Sequence, residues 1–157
     1  MMKKYLLTLS MIWMAWGGFA QTPKGYGVYH NERFDFCVLY PKIFNKTMGP
    51  VNGDGRTFIA DAKKITMQVY GMWQMPGRAL KKDYELAQED RQVTNKTLGK
   101  DYYILSGKDK GHLFYQKAIL KGDLLVTIYF DYLPSEKKQV DEIIAKVTKS
   151  LPGCNQK

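Results

Sequence analysis

The sequence predicts an α+β domain, an antiparallel sheet of about six strands flanked by two helices, and two observations carry that prediction. Apolar residues alternate with period two in several short segments separated by turns rich in Gly, Asp and Asn, whereas two other segments carry helical spacing. The elements also follow one another as strand, hairpin, helix, three-strand meander, helix, an order that suits a sandwich built on an antiparallel sheet.

After a short leader, Phe34, Phe36, Val38 and Tyr40 alternate with Asp35, Cys37 and Leu39, and Pro41 ends this first strand. The stretch from Lys42 to Gly55 is rich in Asn, Gly and Pro and reads as a loop closed by the turn Asn52-Gly53-Asp54-Gly55. Arg56 to Ala60 and Ile65 to Tyr70 flank Asp61-Ala62-Lys63-Lys64 as a hairpin. Met72 to Arg78, with Pro76-Gly77, breaks the pattern and reads as a loop. Leu80 to Gln92 is dense in helix formers, with Leu80, Tyr84 and Ala87 on one face.

Three strands follow, at Asp101 to Ser106, Leu113 to Leu120 and Leu124 to Tyr132, separated by turn signals at Gly107 to Gly111 and Lys121 to Asp123. In the last of them Leu124, Val126, Ile128, Phe130 and Tyr132 share one face while Leu125, Thr127 and Tyr129 share the other, so the sheet is expected to be covered on both sides. Pro134-Ser135 opens the final helix with Ser135 as its expected N-cap. Val140, Ile143, Ile144, Val147 and Leu151 fall on one face, and Pro152-Gly153 stops it.

The first twenty residues have the order of a cleavable secretory signal. Lys3 and Lys4 precede the apolar run Tyr5 to Trp16, and Gly18 and Ala20 supply the small side chains that signal peptidase needs, so cleavage is expected between Ala20 and Gln21. The apolar run, about twelve residues, is short of the roughly twenty that span a bilayer. No cysteine follows the cleavage site, so no lipid attachment is expected there. Residues 1–20 are thus a signal peptide and residues 21–157 a single domain, located in the periplasm or outside the cell, with no stable membrane insertion. No internal repeat or linker divides it.

Loss of Lys3 and Lys4 lowers the net charge from +9 to +7. Basic character can mark nucleic-acid partners, but export argues against nucleic acid, and the lysines are scattered as short pairs such as Lys63-Lys64, Lys81-Lys82 and Lys137-Lys138 with acidic residues between them. A solvated surface is the expectation. Cys37 and Cys154 are the two cysteines. In an oxidising compartment an even count favours a disulfide, which here would tie the chain's C-terminal end to the sheet.

Tyr29-His30-Asn31-Glu32-Arg33-Phe34-Asp35-Phe36, then Tyr40-Pro41, Asn52-Gly53-Asp54-Gly55-Arg56-Thr57-Phe58 and Val69-Tyr70-Gly71 together resemble small exported bacterial proteins of PsbP-like (DcrB-type) fold. Their common pattern runs Tyr-x-Asn-x-Arg-Phe-Gly-Phe, Tyr-Pro, Asn-Gly-Asp-Gly, Val-Tyr-Gly. The run from Tyr115 through Gly122-Asp123, the Ile128 to Tyr132 strand and the Val140 to Leu151 helix follows it too, so nearly all of residues 21–157 is covered. Asp35 departs from it, standing where the pattern usually has Gly. The resemblance implies a PsbP-like sandwich. That fold includes a lumenal photosystem II subunit, a nuclear Ran-binding factor and periplasmic DcrB-type proteins, which mostly act by binding other proteins, so by analogy it lowers the expectation of an enzyme.

The residues themselves commit to no chemistry. Asn52-Gly53-Asp54-Gly55 supplies one carboxylate, too few for a calcium loop, and reads as a structural turn. Gly99-Lys100 and Gly107-Lys108 lack the spacing of a nucleotide P-loop. Two cysteines and two histidines without metal-type spacing predict no metal site, and no cofactor is expected. His30 and His112 are the candidates for acid-base work at neutral pH, but no nucleophile motif accompanies either, and Asn31 and Arg33 are expected to brace the start of the first strand. Most tyrosines, including Tyr102, Tyr103, Tyr115, Tyr129 and Tyr132, read as core or rim residues. Met72, Trp73 and Met75 form an apolar cluster in a predicted loop and are the candidate contact site. The leading expectation is a non-enzymatic protein that binds another envelope or secreted protein, or a small ligand. The alternatives are a hydrolase using His30 or His112, and a structural envelope component that binds peptidoglycan or lipid.

Overall fold

A computed structural model describes residues 22–151 and 153. The predicted signal peptide, its cleavage site before Gln21, Pro152 and Cys154 lie outside the described residues. Strand β1 (Tyr26–Asn31) pairs with β2 (Phe36–Pro41) as a separate two-stranded sheet. The main sheet contains β3 (Lys46–Met48), β4 (Gly55–Ala60), β5 (Ile65–Trp73), β6 (Gln92–Leu98), β7 (Tyr102–Asp109), β8 (His112–Lys121) and β9 (Leu124–Tyr132). Helix α1 (Leu80–Leu86) lies between β5 and β6 in the chain, and α2 (Lys137–Val147) follows β9.

The strand order of the main sheet is β3-β4-β5-β9-β8-β7-β6, antiparallel throughout. The last strand in sequence is therefore the central one. Its alternation works as expected: Val126, Ile128 and Phe130 are buried on one face with Met67, Val69 and Phe58, whereas Leu125 is buried on the other with Leu105 and Phe114. Each such side chain contributes about 1.5–3 kcal/mol on full burial.

Different elements cover the two faces. Val140, Ile143 and Val147 of α2 join Phe34, Phe36 and Val38 over the first face, and Leu80 of α1 packs with Tyr103, Leu105 and Ala118 over the second. The expected α+β class and its antiparallel sheet between two helices are what the chain adopts.

Several boundaries differ from the sequence prediction. β1 lies in the stretch read as a leader. Gly27 interrupts its apolar pattern there, because a Cβ at that position would come within 2.5 Å of the Tyr40 ring. β3 lies inside the predicted loop 42–55, and its three residues are all exposed, so it carries no hydrophobic signal. Met72 and Trp73 are not loop residues: β5 continues through them, paired with Leu125 and Leu124.

Helix α1 stops at Leu86 rather than Gln92, and Gln92–Leu98 becomes the edge strand β6. Asp90 turns the chain with φ of 61°, and β-branched Val93, Thr94 and Thr97 favour strand once pairing to β7 is available. Ser135 is not an N-cap. A 3-10 turn, Pro134–Glu136, leads into α2, and no side chain caps either segment.

β7 runs on to Asp109, and the β7–β8 turn contracts to Lys110 and Gly111, both at positive φ (47° and 87°). That is the backbone a two-residue hairpin demands. Asp35, the one departure from the family pattern, has φ of 48°, which explains why glycine suits that position.

Candidate functional site

The residues of the shared motifs meet at one corner. Asn31, 2% exposed, donates through Nδ2 to the Tyr29 hydroxyl at 3.0 Å and to the Gly53 carbonyl at 2.9 Å, while its Oδ1 accepts the Phe34 amide at 3.0 Å. Arg33 Nη1 donates to the Asn52 carbonyl at 2.6 Å and pairs with Asp54 Oδ1 at 2.8 Å. The Asp54 carbonyl accepts the Gly71 amide at 2.9 Å. These polar groups bond one another, so the motif is a clasp that fastens the β1–β2 hairpin to the main sheet. Gly55 belongs to it sterically, since a Cβ there would sit 2.2 Å from the Val69 carbonyl oxygen.

Of the three expected contact residues, Met72 and Trp73 project to opposite faces at the end of β5. Trp73 stays 60% exposed, its ring meeting Phe34 edge-on at 5.6 Å. Gly71 makes that arrangement possible: a Cβ at this position would lie 2.8 Å from the Phe34 ring. Met75, beyond the strand, is 68% exposed. The Gln74 amide donates to the Asp123 carbonyl at 2.8 Å, which holds this lip against the β8–β9 turn.

Met72, 38% exposed, instead borders a cleft of about 430 Å³ between α1 and the second face of the sheet. Gln68 and Tyr70 of β5, Gln116 of β8, and Leu125, Thr127 and Tyr129 of β9 form its floor. Arg78, Asp83, Leu86 and Ala87 form the opposite wall. Arg91 and Tyr103 also line it.

The polar groups of this cleft are ordered by one another. Gln116 Nε2 donates to the Tyr103 hydroxyl at 3.0 Å, and its Oε1 accepts Arg91 Nη2 at 3.0 Å. Arg91 also donates to the Ala87 carbonyl and lies over the rings of Phe114 (4.6 Å) and Tyr129 (5.8 Å). Across the cleft, Asp83 is buried, pairs with Arg78 Nη2 at 2.6 Å and accepts Gln74 Nε2.

Burial pushes the Tyr103 hydroxyl up to about 12, helped by the nearby Tyr70. Burial likewise raises Tyr70, against the opposing influence of Thr127 and Arg91. It raises Tyr129 too, with Asp131 adding to the effect. At neutral pH all three are protonated hydroxyls able to donate, and none is a base.

The two histidines lie elsewhere. His30 Nε2 is 3.2 Å from Asp35 on the exposed hairpin loop, and His112 Nδ1 is 2.7 Å from Asp131. Asn31 and Arg33 reach beyond the local bracing expected of them, to the 52–55 turn, and leave His30 to Asp35. Among the described residues no group of three or more His, Cys, Asp or Glu side chains is placed to hold a metal ion, and no helix is long and apolar enough to cross a membrane.

Arg91 and Gln116 carried no local signal in the sequence. They stand 25 residues apart and meet only because β8 lies beneath the α1–β6 connection. Tyr70 was legible as a strand residue, but its place in a cleft was not.

No protein-family model and no curated protein matches the sequence. The structure is similar to the solution structure of cyanobacterial PsbP (CyanoP) from Synechocystis sp. PCC 6803, with a TM-score of 0.56 and 16% sequence identity over 85% of this chain and 94% of that one. At that identity the likeness speaks for the fold, and with the sheet order and flanking helices above, the chain is PsbP-like in fold.

Proposed function

We propose that the chain is exported by its first twenty residues, cleaved between Ala20 and Gln21, and acts in the periplasm or outside the cell as a non-enzymatic module that binds another envelope or secreted protein. The observation that carries this reading is the apolar lip Met72, Trp73 and Met75. Two of these side chains are more than half exposed at the end of a strand whose backbone is held on both sides of the lip. Tryptophan and methionine on a fixed backbone suit a protein interface, because they offer large contact area at little ordering cost. Lys81 and Lys82, both exposed, follow in the chain and supply a basic rim.

The test uses residues 21–157 as bait for envelope proteins crosslinked in intact cells, with Trp73→Ala and Met75→Glu as comparison baits. A partner retained by the natural chain and lost by both variants is the expected result. Equal recovery with all three baits overturns the reading.

A Cys37–Cys154 disulfide is part of the proposal. Cys37 is buried in β2, and Ser150 Oγ accepts the Leu39 amide at 3.0 Å, so the chain after α2 runs beside that strand with four residues left to reach Cys154. Both thiols of the exported protein should resist alkylation until reduced.

A hydrolase is the second reading, favoured by the 2.7 Å contact that orients His112 on Asp131. Loss of phenotype on replacing His30 and His112 by alanine in a folded protein would support it over binding.

A further inference from the structure

We propose that the cleft between α1 and the second face of the sheet binds a small monocarboxylate with an apolar body, the carboxylate facing Arg91 and the Tyr70 hydroxyl and the body lying against Met72, Leu86 and Leu125. The charge balance of the walls points to this class. Asp83 neutralises Arg78 at 2.6 Å, whereas Arg91 is held by neutral acceptors and aromatic faces and has no carboxylate partner among the described residues. One uncompensated guanidinium in a partly buried cleft matches one negative charge, and its planar fork suits a carboxylate.

The remaining polar lining agrees. Tyrosine hydroxyls held protonated by burial, with the amides of Gln68 and Gln116, can donate to carboxylate oxygens without repelling them. A phosphate dianion would need a second free cation. The volume, about 430 Å³, falls within the range of small-molecule sites, about 300–1,000 Å³. The site shares Met72 with the protein-binding lip but lies on the other side of β5 from Trp73.

Phenylacetate, phenylacetamide and inorganic phosphate, titrated separately into the ¹⁵N-labelled chain 21–157, test the proposal by amide shifts. Phenylacetate should saturate with shifts centred on Tyr70, Gln116 and Thr127, and phenylacetamide should bind at least about tenfold more weakly. Gln68→Glu, which adds a negative charge to the cleft without touching the core, should weaken phenylacetate at least about tenfold and phenylacetamide much less. Lys96→Gln, on the distant edge strand, should change neither. The proposal is overturned by phenylacetate shifts that fail to saturate or lie elsewhere, by equal affinity for the amide, by tighter binding of phosphate, or by an unaltered affinity in Gln68→Glu.

Discussion

Asn31 donates to the carbonyl of Gly53 at 2.9 Å, and this one contact joins two motifs that lie 22 residues apart in the chain. Its carboxamide also accepts the Phe34 amide and donates to Tyr29, so a single buried side chain holds the hairpin end, the turn before β4 and an aromatic rim together. Asn31→Ala leaves the Phe34 amide and the Gly53 carbonyl without these partners. Urea denaturation should show a loss of about 2–4 kcal/mol, and Asn31→Asp should be no milder, because a carboxylate cannot donate to Gly53.

Gly71→Ala tests the steric link between the core and the exposed lip. The added methyl meets the Phe34 and Phe36 rings at 2.8 and 3.1 Å, so the expected cost is about 1–3 kcal/mol. Displacing Phe34 should also alter the environment of Trp73, which is the one tryptophan of residues 21–157. A shift in its fluorescence, absent in the exposed-site control Lys96→Gln, checks the coupling.

Asp35→Gly places glycine where the pattern that the chain resembles usually has it. At φ of 48° an aspartate is strained and a glycine is not, and the exposed contact given up with His30 is worth little. Thermal unfolding should show stabilisation of about 0.5–1 kcal/mol.

Alkaline pH should unfold the chain through its tyrosines. Burial raises Tyr103 and Tyr115 from the ordinary value of 10.0 to about 12. Above pH 10 the unfolded chain has released protons that the folded chain retains, so stability present below pH 10 is lost as the pH rises towards 12. Denaturation at about pH 9 and about pH 11 should show that decline. Tyr103→Phe should flatten it, whatever its effect on stability at neutral pH.

Much of the fold was legible residue by residue. The alternation of Leu124 to Tyr132 announced a strand with two buried faces, and the spacing of Val140, Ile143 and Val147 announced the helix that covers one of them. What was not legible lacked a local pattern. β6 is nearly all exposed and follows a run of good helix formers, so only its pairing with β7 makes it a strand. Met72 and Trp73 looked like loop because Pro76-Gly77 follows closely, yet pairing with Leu125 and Leu124 extends β5 through them.

The α+β class and the principal turns can be read from the residues in order, because side-chain periodicity and turn chemistry act over a few neighbours. Tertiary structure alone decided that β9 is central, that Met72 and Trp73 part to opposite faces, and that Arg91 reaches Gln116 beside a tyrosine-lined cleft. These follow from strand pairing over long separations, where the favoured partner is the one that buries the most apolar surface while satisfying the backbone.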